Sequence, residues 1–391
     1  MKEAGLDGGP GRCEDPSQMP AAIFQFPYRT VAEVSLGSLI HNLFVLRTLS
    51  RREVIPVIKA NAYGHGMLPV ARALVHRGSC QVLAVATLEE GIELRRRVAG
   101  IEVLVLSGFF PHQLDAYVKY RLTPVIHSLV HLKSLAGHPR LPEIHLKVDT
   151  GMHRLGIAEG EIGEAMRTLD RLKIKLAGLA THFADSEALI SDFVDTQLSA
   201  FAGFESALRE RRLLQTDARI HVGNSAAVLR DKLGDSVAVR PGLALYGISP
   251  NPRLPRSSDL LPVLRWKSRV LSLKAVLKGD SVGYCRTYVA RRRERLGIVP
   301  VGYADGYPRG AGNRGHVLVA GRRASIRGIV SMDMMAVDCT AGSVREGSEV
   351  VLIGQSGKER VGVEQVAAWS ETIPYEILCR ISERVPRIYF E

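Results

Sequence analysis

The sequence predicts an α/β protein, with an N-terminal (β/α)8 barrel of the TIM type followed by a C-terminal, mostly β domain. Between about residues 30 and 250, eight short apolar runs alternate with amphipathic helical patterns. The runs are continuously apolar, which is typical of parallel strands covered on both faces. After about residue 258, Val, Ile and Leu alternate with polar residues between glycines, as in an antiparallel sheet. We therefore expect a tail over 1–28, a barrel over 29–258 and a β domain over 259–391.

The individual elements follow from the same patterns. The predicted barrel strands cover 54–60, 82–86, 103–106, 123–126, 144–148, 174–180, 220–222 and 237–239. Helical patterns lie between them, over 67–75, 88–98, 161–172 and 187–211. The second domain has predicted strands over 263–273, 296–301, 316–319, 326–330, 335–338 and 349–353, with a helix near 363–370. A doubly wound open sheet is the alternative to the barrel.

Composition excludes several classes of protein. The net charge is +12, but the basic residues are spread out, and the densest run, 291–295, has no interleaved aromatics. This favours a solvated basic surface over a nucleic-acid site. No apolar run approaches the ~20 residues that span a bilayer, and residues 1–28 lack the apolar core of a secretory signal. Five widely spaced cysteines without a Cys-x-x-Cys pair indicate a reducing compartment and no structural metal.

The most informative residue is Lys59, which ends the first apolar run and precedes a turn with two glycines. Burial disfavours the charged form of a lysine, and a lysine with a lowered pKa attacks carbonyl groups. The commonest use of such a lysine is a Schiff base with pyridoxal 5'-phosphate (PLP). The alternative is a surface lysine just beyond a strand.

Further polar residues follow the other predicted strands, at the rim where barrel enzymes carry their chemistry. They are Arg154, His182, Asn224, Ser225, Arg240 and Gly242. This set contains no pair of carboxylates and no Cys/His ligand pattern, which argues against a glycosidase and a zinc hydrolase.

Ser225 and the Gly242-Leu243 backbone follow strands seven and eight, where such barrels often bind phosphate. Tyr63 and Tyr375 would add phenolic hydrogen bonds, whereas Ser225 alone would also suit a plain helix cap. The G-x-G-x-x-G match at 310–315 precedes a strand-like segment instead of a helix, so we interpret it as a glycine-rich loop.

In these residues the chain resembles the alanine racemase family, from about Val31 to Phe390. The motifs that carry the resemblance lie in order at 57–66, 147–156, 181–184, 221–227, 240–247, 282–288, 300–306, 331–333 and 374–377. The resemblance implies a PLP-dependent homodimer that interconverts L- and D-alanine in the bacterial cytoplasm and supplies D-alanine for peptidoglycan.

The resemblance also implies a role for each matched residue. Lys59 would carry PLP as a Schiff base, and Tyr284 of the other subunit would be the second acid/base. Arg154 would hold the substrate carboxylate, while Tyr303, Met332 and Asp333 of the other subunit would line the substrate side. Arg240 would face the pyridine nitrogen with His182 beside it, and Lys147 would be carbamylated. The residues implied around the phosphate are Tyr63, Asn224, Ser225, Gly242, Leu243 and Tyr375.

Three alternatives stay open beside this interpretation. A PLP-dependent decarboxylase of basic amino acids would need a cysteine-acid pairing that we do not see, and Arg240 replaces the acidic partner of the ring. A PLP carrier would be a lone barrel without Tyr284. A racemase of broader specificity, active on serine, is the third, since one small group changes binding by only ~1–3 kcal/mol.

Cys285 is a local departure from the family, which usually has glycine or another small residue beside the tyrosine that Tyr284 matches.

Overall fold

The computed structural model describes residues 28–391; residues 1–27, which hold most of the predicted tail and Cys13, lie outside the described part. The helices are α1 (Leu36–Ser50), α2 (Lys59–Tyr63), α3 (Met67–His76), α4 (Leu88–Arg97), α5 (Leu114–Tyr120), α6 (Leu129–Lys133), α7 (Ile162–Leu172), α8 (Phe193–Glu210), α9 (Ser225–Leu229), α10 (Val363–Trp369) and α11 (Pro374–Arg380). The strands up to residue 239 are β1 (Thr30–Ser35), β2 (Glu53–Val54), β3 (Val82–Val85), β4 (Glu102–Val105), β5 (Thr123–Ile126), β6 (His145–Lys147), β7 (Leu176–Ala180), β8 (Leu214–Val222) and β9 (Ala238–Val239).

The later strands are β10 (Leu264–Arg269), β11 (Ser272–Val276), β12 (Ser281–Val282), β13 (Tyr288–Val289), β14 (Glu294–Val299), β15 (His316–Val319), β16 (Arg322–Arg327), β17 (Met335–Asp338), β18 (Glu349–Ser356), β19 (Glu359–Val361) and β20 (Arg387–Phe390). No helix among residues 28–391 is both long and apolar enough to cross a membrane.

Strands β2 to β9 form the predicted parallel barrel. Their order is β2-β9-β8-β7-β6-β5-β4-β3, and a parallel bridge between Val57 and Ala84 joins the two ends. The Ile58 amide donates to the Ala84 carbonyl at 2.8 Å across this seam. The barrel prediction is therefore confirmed, and the open sheet is excluded.

The first barrel strand is shorter than the predicted 54–60. The strand as assigned ends at Val54, although Ile55 and Val57 still donate to the Val239 and Pro241 carbonyls at 2.8 and 3.1 Å. Pro56, between them, has no N–H to donate. The chain then turns at Lys59. The lysine thus follows the strand directly, as predicted, but belongs to the turn.

The second unit is built on the predicted antiparallel pattern. Its sheet has the order β11-β14-β17-β16-β15-β18-β10-β1-β20, with β19 beside β18. Strand β1 precedes the barrel in sequence, yet it pairs antiparallel with β10 and parallel with β20. The buried Trp266 indole donates to the Thr30 hydroxyl at 2.8 Å, which ties β1 to β10. The sequence analysis did not predict that a strand preceding the barrel would join the sheet of the second unit.

The two units meet beside Lys59. The backbone of Gly64 lies so close to α11 that a Cβ at Gly64 would sit 2.2 Å from the Leu378 carbonyl oxygen. Arg387 on β20 donates to the Gly64 carbonyl at 3.0 Å. The second unit therefore covers the rim of the barrel at which the chain turns after its first strand.

Candidate active site

Lys59 begins an unusual turn. The next four residues, Ala60 to Tyr63, all have φ near +52°, so they form a turn of left-handed helix without a glycine. Each such residue costs about 1–2 kcal/mol. The Glu90 carboxylate accepts the Ala60 N–H at 2.6 Å, and Gly64 ends the turn at φ +79°. Contacts from outside the turn thus hold the backbone on which Lys59 and Tyr63 are placed.

The amine of Lys59 lies in a cationic environment. Burial lowers its pKa, and the nearby Arg154 lowers it further, while Glu90 opposes the change. Lys147 is also buried, and burial together with Arg240 and Arg154 lowers its pKa to about 8. Two cationic side chains with lowered pKa values therefore share the rim, which favours an anionic ligand and raises the neutral fraction of both amines.

His182 lies among these cations. Burial lowers its pKa well below 6.5, and Arg240, Lys147 and Arg154 lower it further. It is therefore a neutral imidazole at physiological pH. Arg154 itself is exposed, on the loop that the Asp149 carboxylate caps through the N–H groups of residues 151 to 153.

Arg240 is buried at the end of β9. Its Nη1 donates to the His221 carbonyl at 2.5 Å and contacts His221 Nδ1 at 2.8 Å, while Nη2 donates to the Thr181 carbonyl at 2.6 Å. Burial lowers its pKa to about 10, so it keeps its proton at neutral pH. The guanidinium is therefore a fixed donor at the base of the rim.

The residues predicted to bind phosphate come together between the ends of β8 and β9. The Ser225 hydroxyl accepts the N–H groups of Gly242 and Ala244, both at 3.1 Å, and Asn224 caps α9 by accepting the Ala227 N–H. A Cβ at Gly242 would sit 2.2 Å from the Tyr63 hydroxyl. Leu243 begins the short 3-10 turn that follows Gly242. This is a cradle of hydroxyl and amide groups between the ends of β8 and β9.

Tyr375 reaches this cradle from α11. Its ring centroid is 6.0 Å from that of Tyr63, and its hydroxyl is hydrogen-bonded to Glu187. Burial raises the pKa of both tyrosines, so both phenols stay protonated and can donate. The β domain therefore contributes to the barrel site through one helix of the same chain.

The remaining predicted residues lie on loops of the second unit. Tyr284 is 70% exposed in the turn between β12 and β13. Tyr303 and Met332 are also exposed and lie on adjoining loops, since the Ala304 N–H donates to the Met332 carbonyl at 3.0 Å. Asp333 accepts from Arg384 at 2.6 Å. Among the described residues, no hydrogen bond, ion pair or ring contact joins Tyr284 to Lys59.

Two positioning residues were missed from the sequence. Glu90 belongs to a Thr-x-x-Glu capping box on α4, and that signal predicts a helix start but not the contact with Ala60. Gln197 is buried on α8, where it donates to the His182 carbonyl and the Thr150 hydroxyl, both at 3.2 Å. Its signal is a polar side chain on the face of a helix that also buries Phe201 and Phe204.

Further observations concern the glycine-rich segment, the cysteines and the metal-ligating residue types. The glycine-rich segment 310–315 runs from a 3-10 turn into β15, as predicted, and no helix follows it. Across residues 28–391, the cysteines are free thiols: Cys80, Cys285, Cys339 and Cys379. In the same part of the chain, no group of three or more Cys, His, Asp or Glu side chains could hold a metal ion.

Comparisons with known proteins agree with this geometry. The family models for the alanine racemase N-terminal and C-terminal domains match residues 34–250 and 263–389. An alanine racemase of Halothermothrix orenii is 41% identical over 92% of this chain and 96% of its own length. The structure of an alanine racemase from Bacillus anthracis with bound L-Ala-P is 33% identical, with a TM-score of 0.86 over 94% of this chain and 96% of that chain. The structure of a Bartonella henselae alanine racemase with covalently bound pyridoxal phosphate is 28% identical, with a TM-score of 0.84 over 93% of this chain and 100% of that chain.

Proposed function

The chain belongs to the alanine racemase family, and from this premise we propose that it interconverts L-alanine and D-alanine with PLP held at Lys59. The observation that carries the proposal is the shared rim of Lys59, Arg154, His182 and Arg240, opposite the hydroxyl and amide cradle at Ser225 and Gly242. These groups match the two ends of one elongated, anionic cofactor.

The residues fit PLP in their donor chemistry. A phosphate needs N–H and O–H donors. The Tyr63 phenol, the Ser225 hydroxyl and the Leu243 backbone would offer them directly. The Gly242 N–H and the Tyr375 phenol, which are bonded to Ser225 and Glu187, would have to exchange those partners for the phosphate. An aldehyde needs a neutral amine, which the lowered pKa of Lys59 favours. Arg240 would meet the pyridine nitrogen, and since a guanidinium keeps its proton, that nitrogen would stay unprotonated.

PLP supplies an electron sink that weakens the bond between the α-carbon and its hydrogen. The chain supplies the two proton-transfer groups. Lys59 Nζ accepts the α-proton of one enantiomer on one face, and Tyr284 Oη of a second copy of the chain delivers a proton to the opposite face. The return reaction uses the same groups with their roles exchanged. Arg154 holds the carboxylate of alanine, so that the α-carbon lies between the two groups.

The exposed position of Tyr284 supports a homodimer with shared sites. Tyr284, Tyr303 and Met332 are large side chains exposed on the second unit, where a second copy of the chain could cover them. Together with Asp333, they would line the substrate side of the other copy's site. We place the enzyme in the cytoplasm, with D-alanine for peptidoglycan as its product, on the ground of the family alone.

Lys147 is proposed to carry a carbamate. Carbamylation joins a neutral amine to carbon dioxide, and a pKa of about 8 gives Lys147 a substantial neutral fraction near physiological pH. The resulting anion would lie beside Arg154 and Arg240, whose charges lower the pKa of the free amine. In ¹³C-enriched bicarbonate, a carbamate signal that Lys147→Arg lacks is expected; the same signal in both proteins would exclude this site.

The function is tested by the loss of optical rotation of L-alanine, and separately of D-alanine, with purified protein and PLP. Racemisation from both enantiomers is expected. Lys59→Ala should abolish it, and Tyr284→Phe should lower it by about 100-fold or more, since one proton-transfer group is lost. An inert protein with PLP bound at Lys59 would reject the alanine assignment.

A further inference from the structure

The interior of the barrel contains a continuous column of polar side chains below Arg240. Arg240 Nη1 lies 2.8 Å from His221 Nδ1, and His221 Nε2 lies 2.8 Å from His145 Nδ1. His145 Nε2 points to Glu102 Oε1 at 3.7 Å. Both imidazoles are fully buried. We call Arg240, His221, His145 and Glu102 the polar column.

The chemistry of Arg240 favours one arrangement of the protons along this column. A guanidinium only donates, so His221 Nδ1 accepts and His221 carries its hydrogen on Nε2. That hydrogen is donated to His145 Nδ1, which leaves the hydrogen of His145 on Nε2, facing the Glu102 carboxylate. Burial lowers the pKa of both histidines, so each holds a single hydrogen. All the hydrogen bonds therefore point away from Arg240.

Glu102 holds the far end of the column. Its Oε2 accepts from Arg219 at 2.7 Å, and Arg219 also donates to Glu53 at 2.7 Å, so the carboxylate is fixed from below. Glu102 Oε1 and His145 Nε2 are both buried without a hydrogen-bond partner. They face each other across a gap that is less than 1 Å longer than a hydrogen bond.

Space for the column is provided by a glycine. Gly178 on β7 adjoins His145 on β6, and a Cβ at Gly178 would sit 2.5 Å from His145 Nδ1. The interior of such barrels is usually filled by branched apolar side chains. Buried polar groups cost free energy unless they are paired. Arg240, His221 and His145 are such groups, and they stand where Val or Leu would usually pack.

On the basis of the proposed function, we propose that His221, His145 and Glu102 are positioning residues that hold the Arg240 guanidinium in one orientation toward the cofactor ring. If His145 carried its hydrogen on Nδ1, His221 would have to carry its own on Nδ1. That hydrogen would then meet the N–H of Arg240. The negative charge of Glu102, 3.7 Å from His145 Nε2, favours the Nε2–H form of His145 and so disfavours this reversal.

The first test follows the histidine protons in the protein without PLP, by ¹⁵N NMR of ¹⁵N-histidine-labelled samples. His145→Gln and His221→Gln assign the signals. Both histidines should show an unprotonated Nδ1 and a protonated Nε2. Glu102→Gln should give mixed forms of His145. The matched control Glu53→Gln should not, because the Glu53 carboxylate is bonded to Arg219 and not to a histidine of the column. Unchanged signals in Glu102→Gln would overturn the proposal.

The second test measures the orientation of Arg240 through the cofactor. His145→Phe keeps a ring of similar size but breaks the column. We expect the dissociation constant for PLP to rise about tenfold, as for other outer residues that orient a ligand, and the visible absorbance of bound PLP to shift. In His145→Gln, the dissociation constant and the absorbance should lie between those of His145→Phe and those of the wild-type protein. Loss of stability with unchanged affinity and absorbance would mean a purely structural column.

These results are separable from those of the proposed function, because the NMR test uses neither PLP nor alanine. If the histidines show single forms but the protein does not racemise alanine, the proposed function is wrong and the proposal for the polar column stands. If wild-type protein racemises alanine but its histidines show mixed forms, the proposed function stands and the proposal for the column is wrong. If His145→Phe does not fold, the conservative Glu102→Gln variant still decides the question.

Discussion

Glu90 connects the start of a helix to the reactive lysine. One carboxylate oxygen accepts the Ala60 N–H at 2.6 Å, and the other accepts the Ala86 N–H at 2.8 Å. Its charge also raises the pKa of Lys59, against the larger lowering by burial. This residue therefore acts on the backbone and on the amine at once.

Glu90→Gln should change both properties. Glutamine has one acceptor oxygen, so one of the two N–H groups loses its partner at a cost of about 1–3 kcal/mol. Without the negative charge, the pKa of Lys59 should fall further, and its neutral form should appear at lower pH. The pH profile of Lys59 acylation in protein free of PLP, followed by peptide mass spectrometry, measures this shift.

Glu89→Gln is the matched control, since Glu89 is the exposed neighbour on the same turn of α4. It should leave the Lys59 profile and the stability unchanged. Equal profiles in the two variants would mean that Glu90 does not act on the lysine.

At this scale, the sequence revealed the residues whose chemistry is unusual for their place. Lys59 at a strand end and Arg240 beyond another were predicted at the rim, and both lie there. Glu90 and Gln197 were not, since each acts through a contact with a distant element. A capping glutamate has the same local sequence whether or not it reaches a neighbouring turn.

Among the elements, the left-handed turn α2 shows the limit of local patterns. Ala60 and Ala62 are good formers of right-handed helix. Nothing in their own sequence specifies the opposite hand, which is maintained by Glu90 and by packing against α11. The barrel strands were predictable because continuous apolar runs are a local property. Strand β1 was not assigned to the second unit because Thr30 finds its partner only at Ser268.

Gly64→Ala tests the packing of this turn against α11. Gly64 and Gly100 both have positive φ, at +79° and +73°, so alanine is strained at either site by about 1–2 kcal/mol. Only at Gly64 does the new Cβ meet backbone, 2.2 Å from the Leu378 carbonyl oxygen, whereas Gly100 faces open space. Gly64→Ala should therefore lower the urea unfolding midpoint more than Gly100→Ala does.

The same substitution should also weaken PLP binding, because α11 carries Tyr375 into the cradle. Gly100→Ala should leave that affinity unchanged. Equal affinities in the two variants would show that the position of α11 does not determine the cradle.

The turn between β12 and β13 carries both Tyr284 and Cys285. Cys285 is exposed, and its backbone is in the left-handed region with φ +58°. A maleimide attached there would occupy the space beside Tyr284, so the reagent should inactivate the enzyme, and Cys285→Ala should resist. Cys379→Ala, which removes the other exposed thiol of residues 28–391, should stay sensitive. Protection by Cys379→Ala alone would assign the effect to that thiol.

For the whole molecule, the separation of Lys59 from Tyr284 leads to a prediction about mixed dimers. A dimer of one Lys59→Ala chain and one Tyr284→Phe chain would have one site with both groups and one with neither. Random mixing produces half mixed dimers, so about a quarter of the wild-type activity should return. Co-expression with two different tags, followed by purification of the mixed dimers, should give about half of the wild-type activity per dimer.

Each variant purified alone is the control, and each should be nearly inactive. If the mixed dimer is as inactive as its parents, Lys59 and Tyr284 do not cooperate across two chains.

The place of β1 has a consequence for biosynthesis. Both of its partners in the sheet, β10 and β20, lie beyond the barrel in sequence, and β20 ends at Phe390. On the ribosome, the backbone N–H and C=O groups of β1 therefore stay unpaired while the whole barrel emerges and folds. Its sheet becomes complete only when β20 leaves the exit tunnel. A translation pause or truncation before β20 would leave a finished barrel beside an open, aggregation-prone strand.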